Sequence, residues 1–199
     1  MNDDILTAGL ATLLAGLLGS IPFGLLLTRA AGQGDIRDIG SGSIGATNVL
    51  RTGKKGLAAA TLLLDFGKGA LAVWLVNWLF GPGQVPMAAL AAVLGHCHPP
   101  WLGGKGGKGV ATALGVFLSL GWVVFVAAAA AWLVGAMASR ISSVGAFTSM
   151  GSAAVTGFVV LPVDAAVAVA IVAVYVVIRH EANIKRLLAG TEPRIGAGK

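Results

Sequence analysis

Charged side chains are missing from long stretches of this chain. Residues 5–28, 69–104 and 109–139 hold no Asp, Glu, Lys or Arg, and 141–178 holds only Asp164. A membrane-crossing helix needs about 20 mostly apolar residues, so these runs predict several crossings separated by turns rich in Gly and Pro. The first covers 5–27 and the second 57–80, with Asp65 and Lys68 near the start of the second. Gly81-Pro82-Gly83 turns the chain into a shorter apolar segment, 87–96, which Pro99-Pro100 stops. Residues 110–138 read either as one long helix or as two short ones broken near Gly121, and Leu161-Pro162 divides 144–161 from 163–179. The first run is expected to stay in the protein rather than be cleaved as a signal peptide. Asp3 and Asp4 stand where a basic segment would lie, and the run is too long.

Composition agrees. The 199 residues are 56% hydrophobic and 11% charged, whereas a soluble domain carries about 25% charge. An ordinary soluble globule and a disordered chain are both excluded. One cysteine, Cys97, excludes a disulfide framework and a multi-cysteine metal site. The net charge of +6 suggests nucleic acid only until the charges are placed. Lys and Arg accumulate on the cytoplasmic side of a membrane. With a break at Gly121 the chain crosses seven times, N-terminus outside and C-terminus in the cytoplasm. All fourteen basic residues then lie near the inner face with five of the eight acids, and Asp3, Asp4 and Asp164 lie outside. One helix over 110–138 would put Arg140 and the basic C-terminal residues on opposite faces, so seven crossings are expected. The expectation is therefore an all-α, polytopic bundle forming one membrane domain over 1–199, with no nucleic-acid partner. Trp78, Phe80 and Trp122 near outer turns, and Trp101 near the inner face, suit interfacial anchors. No internal repeat suggests an inverted-repeat transporter.

Three segments are more polar than connecting turns require, and all fall on the expected inner face: 37–56, 95–112 and 179–196. In the first, Gly40, Gly42 and Gly45 are interspersed and followed by Ser41, Ser43, Thr47, Asn48 and Arg51. Glycines let backbone N–H groups approach an anion closely, and hydroxyl, amide and guanidinium groups add donors. Tight packing at a helix start would explain the glycines alone; the density of donors favours anion binding. Gly40-x-Gly42-x-x-Gly45 also matches the dinucleotide fingerprint, but no strand precedes it and no parallel βαβ unit or suitable acid follows.

In the second segment, Lys105-Gly106-Gly107-Lys108-Gly109 sets two ammonium groups around bare backbone. It is no Walker loop, because Gly109 stands where a Ser or Thr would hold magnesium. A topology-setting basic cluster explains the lysines and not the glycines. His96-x-His98 has metal-ligand spacing, yet no carboxylate lies nearby in sequence and Cys97 is the only thiol, so no metal is expected. In the third segment His180 and Asn183 share a helix face, Ile184, Leu187 and Leu188 form an apolar side, and Glu181 and Lys185 are an i,i+4 pair. Beside basic loops, a His–Asn pair can orient a hydroxyl or accept its proton; an interfacial helix without chemistry is the alternative. Asp65 and Lys68, one turn apart, are expected to neutralise each other, with steering of Lys68 toward a phosphate the weaker alternative. Ser142 and Ser143, after Arg140, offer further donors.

Taken together, Ser41-Gly42-x-x-Gly45-Ala46-Thr47-Asn48 with Arg51 resembles the first cytoplasmic motif of the bacterial membrane glycerol-3-phosphate acyltransferases that use acyl phosphate. Gly95-His96, Pro99 and Lys105-Gly106-Gly107-Lys108-Gly109-Val110-Ala111-Thr112 resemble the second motif. Arg179-His180, Asn183-Ile184, Arg186-Leu187, Gly190 and Glu192 resemble the third. Length and crossing number are similar too, so the likeness covers essentially the whole chain. Ser43 stands where Asn is usual and Gly104 where an aromatic is common.

The resemblance implies a cofactor-free, metal-free enzyme of the bacterial inner membrane, with its active site on the cytoplasmic side and no second chain required. It implies transfer of a fatty acyl group from acyl phosphate to the 1-hydroxyl of sn-glycerol 3-phosphate. The products are lysophosphatidate and inorganic phosphate, in the first acylation of phospholipid synthesis. On this reading Lys108, His180 and Asn183 are catalytic. Ser41, Gly42, Ser43, Gly45, Thr47, Asn48, Arg51, Lys105, Gly106, Gly107, Ser142 and Ser143 bind the substrates' phosphates. The proton goes to His180 or to the donor's own phosphate; no acid/base dyad and no His-x4-Asp pair is present. The competing reading is a phosphate or anion transporter, whose charges would sit near midmembrane. A membrane phosphatase would need a Pro-Ser-Gly-His element or a nucleophilic His–Asp pair, and the chain has neither.

Overall fold

The computed structural model describes residues 2–196, with side chains from Asp4 onward; the Asp3 side chain and Lys199, two of the charges placed above, lie outside the described residues. Every regular element among the described residues is a helix. In chain order these are α1 (Asn2–Gly19), α2 (Phe23–Ala30), α3 (Ala46–Leu50), α4 (Lys55–Phe80) and α5 (Val85–Cys97). They continue with α6 (Val110–Leu120), α7 (Trp122–Ser139), α8 (Ser142–Val160), α9 (Val163–Ile178) and α10 (Glu181–Leu188). The expected breaks at Gly121 and Leu161-Pro162 are both present.

The first apolar run differs from expectation: it is two helices, not one. Pro22 has no N–H and disfavours helical backbone at Ile21, which strands carbonyls inside the bundle. Two distant side chains satisfy them. Lys68 Nζ donates to Ile21 O at 2.7 Å, beside the Phe23 N–H at 3.1 Å, and the Trp101 indole donates to Ser20 O at 2.9 Å.

Four stretches are long and apolar enough to cross a membrane: Asp4–Ala30, α4, α7 and α8. A fifth is α9 taken with α10 across a 57° bend. The 13 residues of α5 and the 11 of α6 reach only about 20 and 17 Å at 1.5 Å per residue, short of a hydrocarbon core of about 30 Å. Both short helices are enclosed by longer ones, α5 by α1, α4 and α9, and α6 by α4 and α7. The outward faces are apolar, with Leu6, Leu13, Leu63, Val134, Val159 and Val174 exposed. The chain is a multi-pass membrane protein.

Small residues let the helices touch, as membrane packing requires. A Cβ at Gly115 of α6 would lie 1.9 Å from Phe66 O of α4, and one at Gly69 would lie 2.2 Å from Thr112 O. The backbones of α4 and α6 are therefore in direct contact. The main buried cluster runs through the bundle and includes Ala15, Val73, Val93, Phe117, Met150 and Val172. A second, small cluster of Leu25, Ile36, Ile44, Val49 and Ala58 sits apart from it. The break after α1 lets α2 leave the main cluster and join this second one, which carries the first polar segment.

Candidate functional site

The three polar segments, far apart in sequence, meet around one cavity of about 480 Å³. Ser41, Ser43, Gly45, Thr47, Asn48 and Arg51 line it from the first segment, and Lys108 from the second. Ser142 and Ser143 line it from the start of α8, and His180, Asn183 and Glu192 from the third segment. Apolar walls come from Leu62, Leu63 and Phe66 of α4, Val110 and Leu114 of α6, and Phe125, Trp132 and Leu133 of α7. Helices α4 and α7 both pack on α6 and meet each other only weakly. Phe66 and Phe125 bridge them, with ring centroids 5.5 Å apart. The cavity is thus a polar basin continued by an apolar groove.

Asn48 builds the first loop. It is buried on α3, accepts from the Ser41 N–H at 3.0 Å, and donates to the carbonyls of Ile36, Ile39 and Ser43 at 2.8–2.9 Å. Its amide is therefore spent on the loop, and the side chains left to face a ligand are those of Ser41, Ser43, Thr47 and Arg51. The Arg51 side chain makes no hydrogen bond or ion pair among the described residues.

The second loop corrects the expected backbone cradle. Gly106 and Gly107 donate their N–H groups to Cys97 O and His96 O, each at 3.1 Å, so neither N–H is offered to an anion. Only glycine fits at 107, where a Cβ would lie 2.0 Å from His96 Nε2. These glycines press the loop onto the end of α5. Gly42, Lys105, Gly106 and Gly107 lie outside the cavity lining, and Lys105 is exposed. Lys108 does reach the cavity, and it has no ion-pair partner among the described residues. Burial, then the positive charges of Arg186, Arg51 and Arg179, push its ammonium down to about 8, against the opposing pull of Glu192.

The bend between α9 and α10 presents His180. Its Nδ1 lies 2.7 Å from Val176 O; a carbonyl only accepts, so Nδ1 carries the proton and Nε2 is the acceptor. Burial, reinforced by Lys108, lowers its pKa to about 4 despite the bond to Val176, so the ring is neutral at pH 7. Phe147 holds it edge-on, with centroids 5.6 Å apart.

Glu192 is a site residue to which sequence reasoning gave no role. Its carboxylate is buried and accepts from Asn183 at 2.5 Å, Arg186 at 2.7 Å and Ser143 at 2.8 Å. Burial works against its charge, but these hydrogen bonds outweigh it and hold the pKa below the ordinary value. Ser143 and Asn183, expected to face substrate, spend their protons here, while Asn183 Oδ1 stays buried without a partner. Ser142 remains free at the rim. Asp65 and His96 also line the cavity and were not anticipated. The spacing of His96 and His98 does not bring them together: His98 turns to Tyr175 and Gly104 O, and His96 toward Asp65. What remains is a basin with two cations that lack counter-ions among the described residues, several hydroxyls and the neutral imidazole of His180, opening into an apolar groove. It suits phosphorylated molecules of which one carries a long apolar tail.

Residues 9–190 match a protein-family model described as glycerol-3-phosphate acyltransferase. A protein of that name from Paramagnetospirillum magneticum is 57% identical over 189 residues, spanning 95% of this chain and 94% of its own. One from Ruegeria pomeroyi is 58% identical over 180 residues, spanning 90% and 88%. Two crystal structures of PlsY (YgiH), an integral membrane glycerol 3-phosphate acyltransferase, have the same fold. Its glycerol 3-phosphate form superposes with a TM-score of 0.90 at 38% identity, over 95% of this chain and 96% of that one. Its lysophosphatidic acid form gives 0.88 at 36%, over 95% of each.

Proposed function

Because the chain belongs to the glycerol-3-phosphate acyltransferase family, we propose that it moves a fatty acyl group from acyl phosphate to the 1-hydroxyl of sn-glycerol 3-phosphate, giving lysophosphatidate and inorganic phosphate. The observation that carries this reading is the join between basin and groove. Arg51 and Lys108 line the cavity with no counter-ion among the described residues, and apolar side chains of α4, α6 and α7 wall the same cavity. That combination fits a donor with a phosphate head and an acyl tail, and a small phosphorylated acceptor. The forms in which PlsY was crystallised, with glycerol 3-phosphate and lysophosphatidic acid, agree with it.

In this mechanism the acyl chain lies in the groove and leaves sideways between Leu62, Leu63 and Leu133, which are exposed to lipid. Arg51, Lys108 and the hydroxyls of Ser41, Ser43 and Thr47 hold phosphate, and Ser142 orients the acceptor. His180 Nε2 accepts a hydrogen bond from the attacking hydroxyl. Oxygen adds to the acyl carbon, the C–O bond to phosphate breaks, and the cations offset the charge gathering on the leaving phosphate. An imidazole with a pKa of about 4 is a poor final proton acceptor; the departing phosphate, whose leaving oxygen gains the electron pair of the broken C–O bond, is the more basic group and takes the proton. The protein supplies position and charge, which are large contributions for an already activated donor. Asn183 acts with Glu192 to fix the third segment around His180.

The same reading keeps the chain as one membrane domain of seven crossings, N-terminus outside and cavity on the cytoplasmic side of the inner membrane, working as a monomer. Its test is product analysis. Purified protein given both substrates should yield the 1-acyl product with one phosphate released per acyl group transferred. Phosphate release without a lipid product would mark it as a phosphatase.

A further inference from the structure

A buried charge pair lies on the wall between the cavity and the broken first crossing. Lys68 and Asp65, 4% and 1% exposed, are paired at 2.7 Å. Lys68 is absent from the cavity lining and turns away from it to donate to Ile21 O at 2.7 Å, with its ammonium 5.7 Å from the Phe23 ring centre. Ile21 sits in the break, where Trp101 holds the neighbouring Ser20 carbonyl. Beyond the break, α2 is pressed against the first polar loop: a Cβ at Gly24 would lie 1.9 Å from Ile44 O. Ile44 is flanked by Ser43 and Gly45, both on the cavity.

The other member of the pair reaches the second loop. Asp65 Oδ1, the oxygen paired with Lys68, also lies 3.6 Å from His96 Nδ1, which has no hydrogen-bond partner among the described residues. The opposite edge of the His96 ring abuts Gly107, leaving no room for a Cβ there, and Gly107 precedes Lys108. One ion pair on α4 therefore backs both polar loops.

We infer that Asp65 and Lys68 are positioning residues for the phosphate-binding loops. Lys68 acts through the break and α2 on the loop at 43–45, and Asp65 acts through His96 and Gly107 on Lys108. This rests on the phosphate reading of the cavity. It goes beyond mutual neutralisation, because a pair kept only for that purpose is replaceable by apolar residues of similar volume. A pair that also bonds a carbonyl at the helix break and wedges a histidine is not.

The double variant Asp65→Leu/Lys68→Met separates the two roles. It leaves no unpaired buried charge, so folding is preserved, and lysophosphatidate formation is measured with each substrate varied alongside thermal unfolding. The expected result is a melting temperature close to that of the unaltered protein, a raised KM for glycerol 3-phosphate, and kcat/KM down by about 100-fold, as for a displacement of about 1 Å near reacting groups. Unaltered KM, with kcat either normal or reduced only in proportion to the folded fraction, overturns the inference. Should the double variant not be recovered folded, Trp101→Phe decides. It removes the other donor to the break from an exposed position, and a KM raised about five-fold is expected for one lost hydrogen bond; an unchanged KM overturns the inference. An unaltered protein that makes no lysophosphatidate overturns the acyl-transfer reading and this inference with it. An active one with an equally active double variant overturns this inference alone.

Discussion

At Lys108, burial and three neighbouring arginines favour the neutral amine, and a bound phosphate favours the ammonium. The free protein loses the cation as pH rises through about 8. The kcat/KM profile, which reports the free enzyme, should therefore be level below that pH and fall above it. The corresponding limb in kcat should lie higher, because bound phosphate raises the lysine's pKa. Lys108→Ala should lose about 100- to 1,000-fold in kcat/KM, and undiminished activity would remove the lysine from the site. His180, held near 4, contributes no limb around neutrality. His180→Ala should lower kcat by about 100-fold through lost orientation and leave the pH profile unchanged; a vanished limb would make His180 the base. The types of these residues were legible in the sequence, but their obligations were not. Asn48, Ser143 and Asn183 all read as donors for a ligand. Each is in fact spent on a partner: Asn48 on its own loop, the other two on Glu192. Which donors are free is fixed by tertiary contacts that no local spacing reveals.

Among the helices, turns carrying Gly and Pro were readable because those residues act locally: Gly121 and Pro162 break helices where expected. Pro22 carries the same signal, but it lies inside an uninterrupted charge-free run that masks it. The break is tolerated inside the bundle because Lys68 and Trp101, remote in sequence, satisfy its carbonyls. Close helix contact gives a direct test of packing. Gly115→Ala should destabilise the protein by about 1–3 kcal/mol through overpacking against Phe66. Gly67→Ala, on the same helix as Phe66 but with nothing within 4 Å of its added Cβ, should be neutral or gain about 0.5–1 kcal/mol. Thermal unfolding in detergent compares the two; equal effects would contradict direct contact between α4 and α6. The seven-crossing path makes its own prediction at the α6–α7 turn. In a Cys97→Ala background, Gly121→Cys should react with a membrane-impermeant thiol reagent added from outside, and labelling only from the cytoplasmic side would contradict the path.

For the molecule as a whole, composition announced a membrane bundle, and the positions of its few charges announced a polar face. The groove was not announced. In a helix that is apolar all round, residues facing lipid and residues facing an internal groove look alike, so Phe66, Phe125 and Trp132 carried no mark. Only the assembly, in which α4 and α7 flank α6 without closing on each other, shows that a long apolar tail can continue from the phosphate basin. The reading that joins these features is transfer from a donor whose phosphate and acyl chain are adjacent. The most direct measurement offers the purified protein glycerol 3-phosphate with the same fatty acyl group as acyl phosphate, as acyl-CoA or as the thioester of acyl carrier protein. Lysophosphatidate formed from acyl phosphate alone is the predicted result; equal or preferential use of either thioester would contradict it.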